Sequence, residues 1–334
     1  MHVVAAADKF KGTATAKQVC AAIGHACWEL GADCTEIPMA DGGEGTLDAL
    51  GGPNKTTLVT GPLGDPVEAA WRLHKGVAII EMARASGLSL VGGPEHNDAL
   101  AASTTGVGEL IDTALDTGVD KIIVCLGGSA TTDGGYGAIR AIHAPARLRG
   151  VEFLVACDVD TLFTEAAEVF APQKGATRTQ VRLLANRLER LAQMYAQQYG
   201  IDVSMTPGAG AAGGLAGGLM ALGATLVTGF DLVADELGLH DVVRNADLVI
   251  TGEGLLDETS FHGKVVGGVC SVAAQYGKAV ATICGDDDDE LPDDMRDASH
   301  PFSLVKNFGD DAARTRVLQC IEDAARQIIS NAVK

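Results

Sequence analysis

Positive charge is scarce in this chain: 25 Lys and Arg stand against 44 Asp and Glu, a formal net charge of −19. So acidic a protein repels phosphate backbones and anionic lipid, which argues against a nucleic-acid or membrane partner. Aromatic residues make up only 4% of the sequence, leaving few platforms on which bases could stack. No apolar window approaches the length of a membrane span. The N-terminus opens on the strand-like His2-Val3-Val4-Ala5-Ala6-Ala7 and has no basic segment followed by an apolar stretch of signal length, so a cytoplasmic location is expected. No Cys-x-x-Cys pair occurs, and no histidine stands at zinc-site spacing from the eight cysteines. Cys20, Cys27 and Cys34 recur every seven residues, yet the burial habit of cysteine favours packing over metal or redox chemistry. The phosphate loop Gly-x-x-x-x-Gly-Lys-Ser/Thr is missing too, so any phosphate site must be built differently.

Apolar residues, at 47% against 21% charged, are ample for a folded core, and 334 residues exceed the usual span of one core. Six short apolar runs read as buried parallel strands: 3–7, 34–39, 121–126, 152–157, 246–251 and 279–284. Helical stretches lie between them. Thr15-Ala16-Lys17-Gln18 has the form of a capping box and opens one toward Leu30; another spans Thr105 to Thr117. Alternation of this kind gives an α/β fold, a three-layer Rossmann-like parallel sheet. Two regions break the pattern: 53–103, with turn signals and short β-rich pieces, and 161–240, with a long polar helix from Gln180 to Tyr199 and a Gly/Ala-rich stretch. They read as a second, inserted, smaller α/β domain across a cleft, leaving 1–52, 104–160 and 241–334 to the first domain.

Acidic, glycine-punctuated segments follow the strands, and in a parallel sheet such strand-end loops share one edge, where ligands bind. Lys9 and Lys11 precede a capped helix N-terminus, a setting suited to an anion. Asp41 and Glu44 bracket glycines in a way that suits a cation or a hydroxyl-bearing ligand. Ser129, Thr131, Thr132 and Asp133 could ring a phosphate, with Asp133 as metal ligand or base. Asp158 and Asp160, two apart after a strand, suit Mg²⁺, although helix capping explains them as well. Lys174 and Lys264 could neutralise a transferred phosphoryl group. Gly208-Ala209-Gly210-Ala211-Ala212-Gly213 matches a dinucleotide fingerprint but lacks a preceding strand. The acidic run from Asp286 to Glu290 reads as a solvated loop.

Taken together, Asp8-Lys9-Phe10-Lys11-Gly12-Thr13, Ala40-Asp41-Gly42-Gly43-Glu44-Gly45, Gly127-Gly128-Ser129-Ala130-Thr131, Asp133-Gly134-Gly135, Cys157-Asp158-Val159-Asp160, Pro172-Gln173-Lys174-Gly175, Gly208 to Gly214 and Thr251-Gly252-Glu253-Gly254 resemble the bacterial type I glycerate kinases in order and spacing. The resemblance implies ATP- and Mg²⁺-dependent phosphorylation of D-glycerate, generally at the 2-hydroxyl, by a monomer or homodimer. It implies catalytic roles for Asp133, Asp158, Lys11 and Lys174. Substrate or phosphate would be bound by Asp8, Lys9, Gly42, Gly43, Gly128, Ser129, Thr131, Gly210, Gly213, Glu253, Asp257 and Lys264, and metal by Asp41, Glu44 and Asp160. Leu255 stands where the family tends to carry Arg, which leaves open a weakened paralogue that binds a small metabolite.

Overall fold

The computed structural model describes residues 1–332. They form two compact units, 1–41 with 229–332, and 42–228. The first unit holds a parallel five-stranded sheet built from β1 (His2–Ala5), β2 (Asp33–Glu36), β9 (Leu248–Leu256), β10 (Ala279–Asp287) and β11 (Pro301–Ser303), in the order β11-β10-β9-β1-β2. Strand alternation sends Ile283 of β10 into a core with the helices Ala16–Glu29 and Val317–Ala332, and its neighbour Cys284 into another with the helix Val265–Gln275. The sheet is therefore covered on both faces, as its continuous apolar strands require. The capping box at Thr15 is present, with Gln18 N–H donating to the Thr15 hydroxyl and Thr15 N–H to the Gln18 amide oxygen.

The second unit holds six strands: β3 (Lys55–Thr60), β4 (Pro66–His74), β5 (Val77–Glu81), β6 (Lys121–Cys125), β7 (Glu152–Ala156) and β8 (Thr225–Val227), in sequence order across the sheet. β3 to β5 pair antiparallel, while β5 to β8 are parallel. The β4–β5 hairpin turns at Lys75 and Gly76, both at positive φ (48° and 79°), the two-residue turn whose twist matches its strands. Val107, Leu110 and Ile111 of the helix Thr105–Asp116 and Leu215 and Leu219 of the helix Ala211–Ala221 cover one face. The long helix Arg178–Tyr199 packs Leu184, Leu188 and Tyr195 into a separate cluster with Phe163.

The six expected strands all exist, but they belong to two sheets. β6 and β7 register with β5 and β8, so 104–160 lies in the inserted unit, which is also the longer of the two, and 229–240 lies in the other. Two further expectations change. Gly252 and Glu253 lie inside β9 rather than in a loop after it, paired with Ile283 and Cys284. A Cβ on Gly252 would lie 2.3 Å from the Ile283 carbonyl oxygen, so glycine permits the close pairing. The acidic run is not simply solvated: Asp287 is buried and accepts from Arg296 (2.6 Å) and Lys306 (3.1 Å), cations too distant in sequence to be read with it. Among the described residues no helix is long and apolar enough to cross a membrane.

Candidate active site

In the inserted unit the loops after β5, β6 and β7 leave the same edge of the parallel strands. The loop after β6 is fixed from several sides. Gly127 lies against the backbone of the 42–45 loop, where an added Cβ would come within 3.0 Å of Glu44 N, and Gly128 takes φ 61°. Leu88 N–H donates to Gly128 O and Ala130 N–H to Ser86 O, so Ser129 sits on a short antiparallel bridge with Gly87.

Lys174 comes to this loop from the turn Pro172–Lys174 and is only 3% exposed. Its amine donates to Ser129 Oγ and to the Thr131 carbonyl, both at 2.7 Å, and lies 5.9 Å from the centre of the Phe170 ring. Burial away from water pushes its pKa down to about 7, against the opposing pull of the Asp133 charge. Asn97 ties the two loops together, its amide donating to Ala130 O and Lys174 O at 2.9 Å each. Three polar atoms of this cluster are buried without a partner: Asn97 Oδ1, Thr131 Oγ1 and Thr132 Oγ1. Unpaired buried polar groups are costly, and these three lie on the loop after β6 and on the residue that ties it to Lys174, which suits a polar ligand.

Asp133 has a different character. Its Oδ2 accepts from Thr104 N–H and Thr104 Oγ1 at 2.9 Å each and from Gly137 N–H at 3.2 Å, and its Oδ1 accepts from Gly135 N–H at 3.2 Å. The carboxylate is thus committed to holding the loop and the start of the helix Tyr136–Ala141, and it has little left to offer a substrate proton. Gly210 and Gly213 serve backbone packing. A Cβ on Gly213, at φ 70°, would lie 2.1 Å from Thr131 O, and Gly213 O accepts from Gly134 N–H. No strand leads into this Gly/Ala segment, as the dinucleotide reading would need.

Asp158 and Asp160 are exposed beyond the end of β7, and both charges bear on the Cys157 thiol, whose pKa burial raises first of all. Glu44 is exposed at the end of the 42–45 loop. Glu81, overlooked in the sequence, closes β5 and is 1% exposed; its Oε1 accepts from Gly45 N–H and Leu47 N–H at 2.8 Å each, holding Gly42 and Gly43 in a fixed turn. An acid ending an apolar strand was the available signal for it. Asn97 had none, standing in a Gly/Pro/charged stretch without spacing. Among the described residues, no three His, Cys, Asp or Glu side chains form a group that could hold a metal ion. A surface groove of about 430 Å³ lined by Thr60, Glu109, Asp112 and His143 contains none of these residues.

The first unit gathers its own charged set where β1 and β9 run side by side. Asp8 N–H donates to Gly252 O, and Asp8 Oδ1 accepts from Lys9 N–H at 2.7 Å, with Lys9 Nζ 3.6 Å away. Burial raises the Asp8 pKa, Lys9 lowers it and Asp41 raises it, for a net rise. Glu253 is pushed up to about 7, chiefly by burial, with Ser260 and Lys264 opposing and Asp8 and Asp257 adding to the rise. Its Oε1 is buried without a partner. Burial acts against ionisation of Asp257 as well, but hydrogen bonds from Thr259 Oγ1 (2.6 Å) and Ser260 N–H (3.1 Å) hold it below the usual range. Lys264 Nζ donates to Thr259 Oγ1 at 2.7 Å. Lys11 and Leu255 are exposed.

Comparison with known proteins gives one result. The Glycerate kinase family model matches residues 3–145 and 141–332. A glycerate kinase of Halalkalibacterium halodurans is 42% identical, the alignment covering 85% of each chain. The glycerate 2-kinase of Escherichia coli K12 is 38% identical, covering 88% of this chain and 87% of its own. A crystal structure of a glycerate kinase 2 from Salmonella typhimurium LT2 superposes with a TM-score of 0.86 at 35% identity, covering 99% of this chain and 98% of that one.

Proposed function

The chain belongs to the glycerate kinase family, and we propose that it transfers the γ-phosphoryl group of ATP, with Mg²⁺, to D-glycerate, forming 2-phosphoglycerate. The observation that carries this reading is the buried amine of Lys174 held on the loop after β6, a loop whose Thr131 and Thr132 hydroxyls are buried and unpaired. A short hydroxy acid supplies what that cluster lacks. Its carboxylate oxygens can accept from the Thr131 and Thr132 hydroxyls, and a hydroxyl other than the one phosphorylated can donate to Asn97 Oδ1. The 2-hydroxyl is favoured as acceptor by the name of the Escherichia coli relative.

For the metal, the donor set suits an ion that keeps most of its water and phosphate ligands and takes only one or two carboxylates. Asp160, with Asp158 two residues away on the same exposed loop, fits that role, and Glu44 is a further carboxylate of the same unit. Held there, Mg²⁺ would offset the negative charge of the transferred phosphoryl group. The chain's own contribution is positioning. Asp133 and Glu81 lock the loops that carry Ser129, Thr131 and Gly42, and Lys9, Lys11 and Lys264 of the first unit are available to anionic groups there. Phosphorus NMR of a mixture of protein, MgATP and D-glycerate tests the proposal: the 2-phosphoglycerate resonance should grow with that of ADP. A 3-phosphoglycerate resonance in its place would overturn the assigned position.

A further inference from the structure

Asp133 is spent on backbone donors, yet a hydroxyl attacking phosphorus still gains from a group that accepts its proton. Another acceptor stands beside it. Ser129 Oγ and Lys174 Nζ are 2.7 Å apart, and the two residues are 8% and 3% exposed. The second oxygen that the amine meets, the Thr131 carbonyl, can only accept, so it fixes one N–H of Lys174 in either protonation state. The serine hydroxyl can both donate and accept. When the amine is charged it donates to Ser129; when it is neutral the same contact reverses, and the hydroxyl donates to the nitrogen lone pair. The hydroxyls of Thr131 and Thr132, on the same loop, are buried and without partners.

We propose that Ser129 is the catalytic group that takes the proton from the acceptor hydroxyl of a bound 2-hydroxy acid and passes its own proton to Lys174. The proposal rests on the glycerate kinase reading. The acceptor O–H bond breaks and its proton goes to Ser129 Oγ, while the Ser129 proton goes to Lys174 Nζ, which becomes ammonium. The electron pair left on the acceptor oxygen forms the new bond to the γ-phosphorus, and the bond from that phosphorus to the β–γ bridging oxygen breaks, releasing ADP. The new ammonium then stands next to the negative charge of the phosphorylated product. Among the described residues, the charge acting on the Lys174 amine is that of Asp133, and the uncharged Phe170 ring lies 5.9 Å from it. Burial outweighs the Asp133 charge, and the neutral form is thereby accessible near neutral pH.

The test has an activity arm and a titration arm. Ser129→Ala should lower kcat about 10²–10⁴-fold, the usual contribution of a positioned base, with KM for D-glycerate changed less than about threefold. Lys174→Arg, permanently charged, should lose a similar factor and with it the rise in wild-type kcat through the Lys174 pKa of about 7. A kcat within about threefold of wild type in Ser129→Ala, or an unaltered pH profile in Lys174→Arg, overturns the proposal. In the titration arm, the ε-carbon resonance of Lys174 in the wild-type protein is followed by NMR. An amine that titrates near 7 supports the dyad, and one that stays charged above about pH 9 refutes it, even if the variants fail to fold. Wild-type protein that releases no ADP with D-glycerate would instead remove the kinase reading, leaving the titration to judge the pair.

Discussion

Asp133→Asn separates two roles that one carboxylate can play. As a general base, Asp133 would be essential to rate and of little consequence to stability; as the clamp seen here, it should show the reverse. The side chain is 7% exposed and accepts four hydrogen bonds of 3.2 Å or shorter, three at Oδ2 and one at Oδ1, besides a longer one of 3.5 Å from Ser103 Oγ to Oδ2. With the amide oxygen of Asn at the Oδ2 position, three bonds lose a charged acceptor, each weakened by about 0.5–1 kcal/mol. The amide NH₂ then faces Gly135 N–H, donor against donor, and an unsatisfied buried donor costs about 1–3 kcal/mol. The total is about 4 kcal/mol, equivalent to a fall of about 10 °C in the melting temperature of a body this size. Differential scanning calorimetry reads that fall, and steady-state assays well below the transition should find kcat within about tenfold of wild type. An unchanged melting temperature with kcat reduced about 10²–10⁴-fold would refute the clamp and restore Asp133 as the base.

Three other changes probe the scaffold. Glu81→Gln weakens the acceptor shared by Gly45 and Leu47 N–H, with an expected loss of about 2 kcal/mol and faster amide hydrogen exchange at those two positions. Gly213→Ala places a Cβ 2.1 Å from the Thr131 carbonyl at φ 70°, so denaturant unfolding should show a loss of about 3 kcal/mol or more. Glu253 binds its proton more tightly folded than unfolded, so its contribution to stability is intact below about pH 4.5 and is lost as pH rises through about 7. Glu253→Gln should therefore melt like wild type near pH 4.5 and gain about 1–2 kcal/mol over it near pH 8, a figure reduced for the partly open carboxyl.

The local order of the chain was largely legible in the sequence. Continuous apolar runs such as Ile122-Ile123-Val124 mark parallel strands because both of their faces are buried, and the Thr15 capping box needs only four residues to be recognised. Sheet membership was not, because β6 and β1 have the same pattern and their neighbours are decided by contacts distant in the chain. The same limit governs the site. Lys174 was recognisable as a cation, but its burial depends on the loop after β6 and on Asn97, and Asp133 is recognisable as an acid without the donors that surround it. Asp287 could not be told from its exposed neighbours until Arg296 and Lys306 were placed beside it.

Phosphoryl transfer from ATP to D-glycerate is read by ADP release from purified protein with MgATP, with and without D-glycerate. ADP formation should depend on D-glycerate and saturate with it, one phosphoglycerate appearing per ADP. Saturable D-glycerate binding with no ADP above the level of the substrate-free control would contradict it.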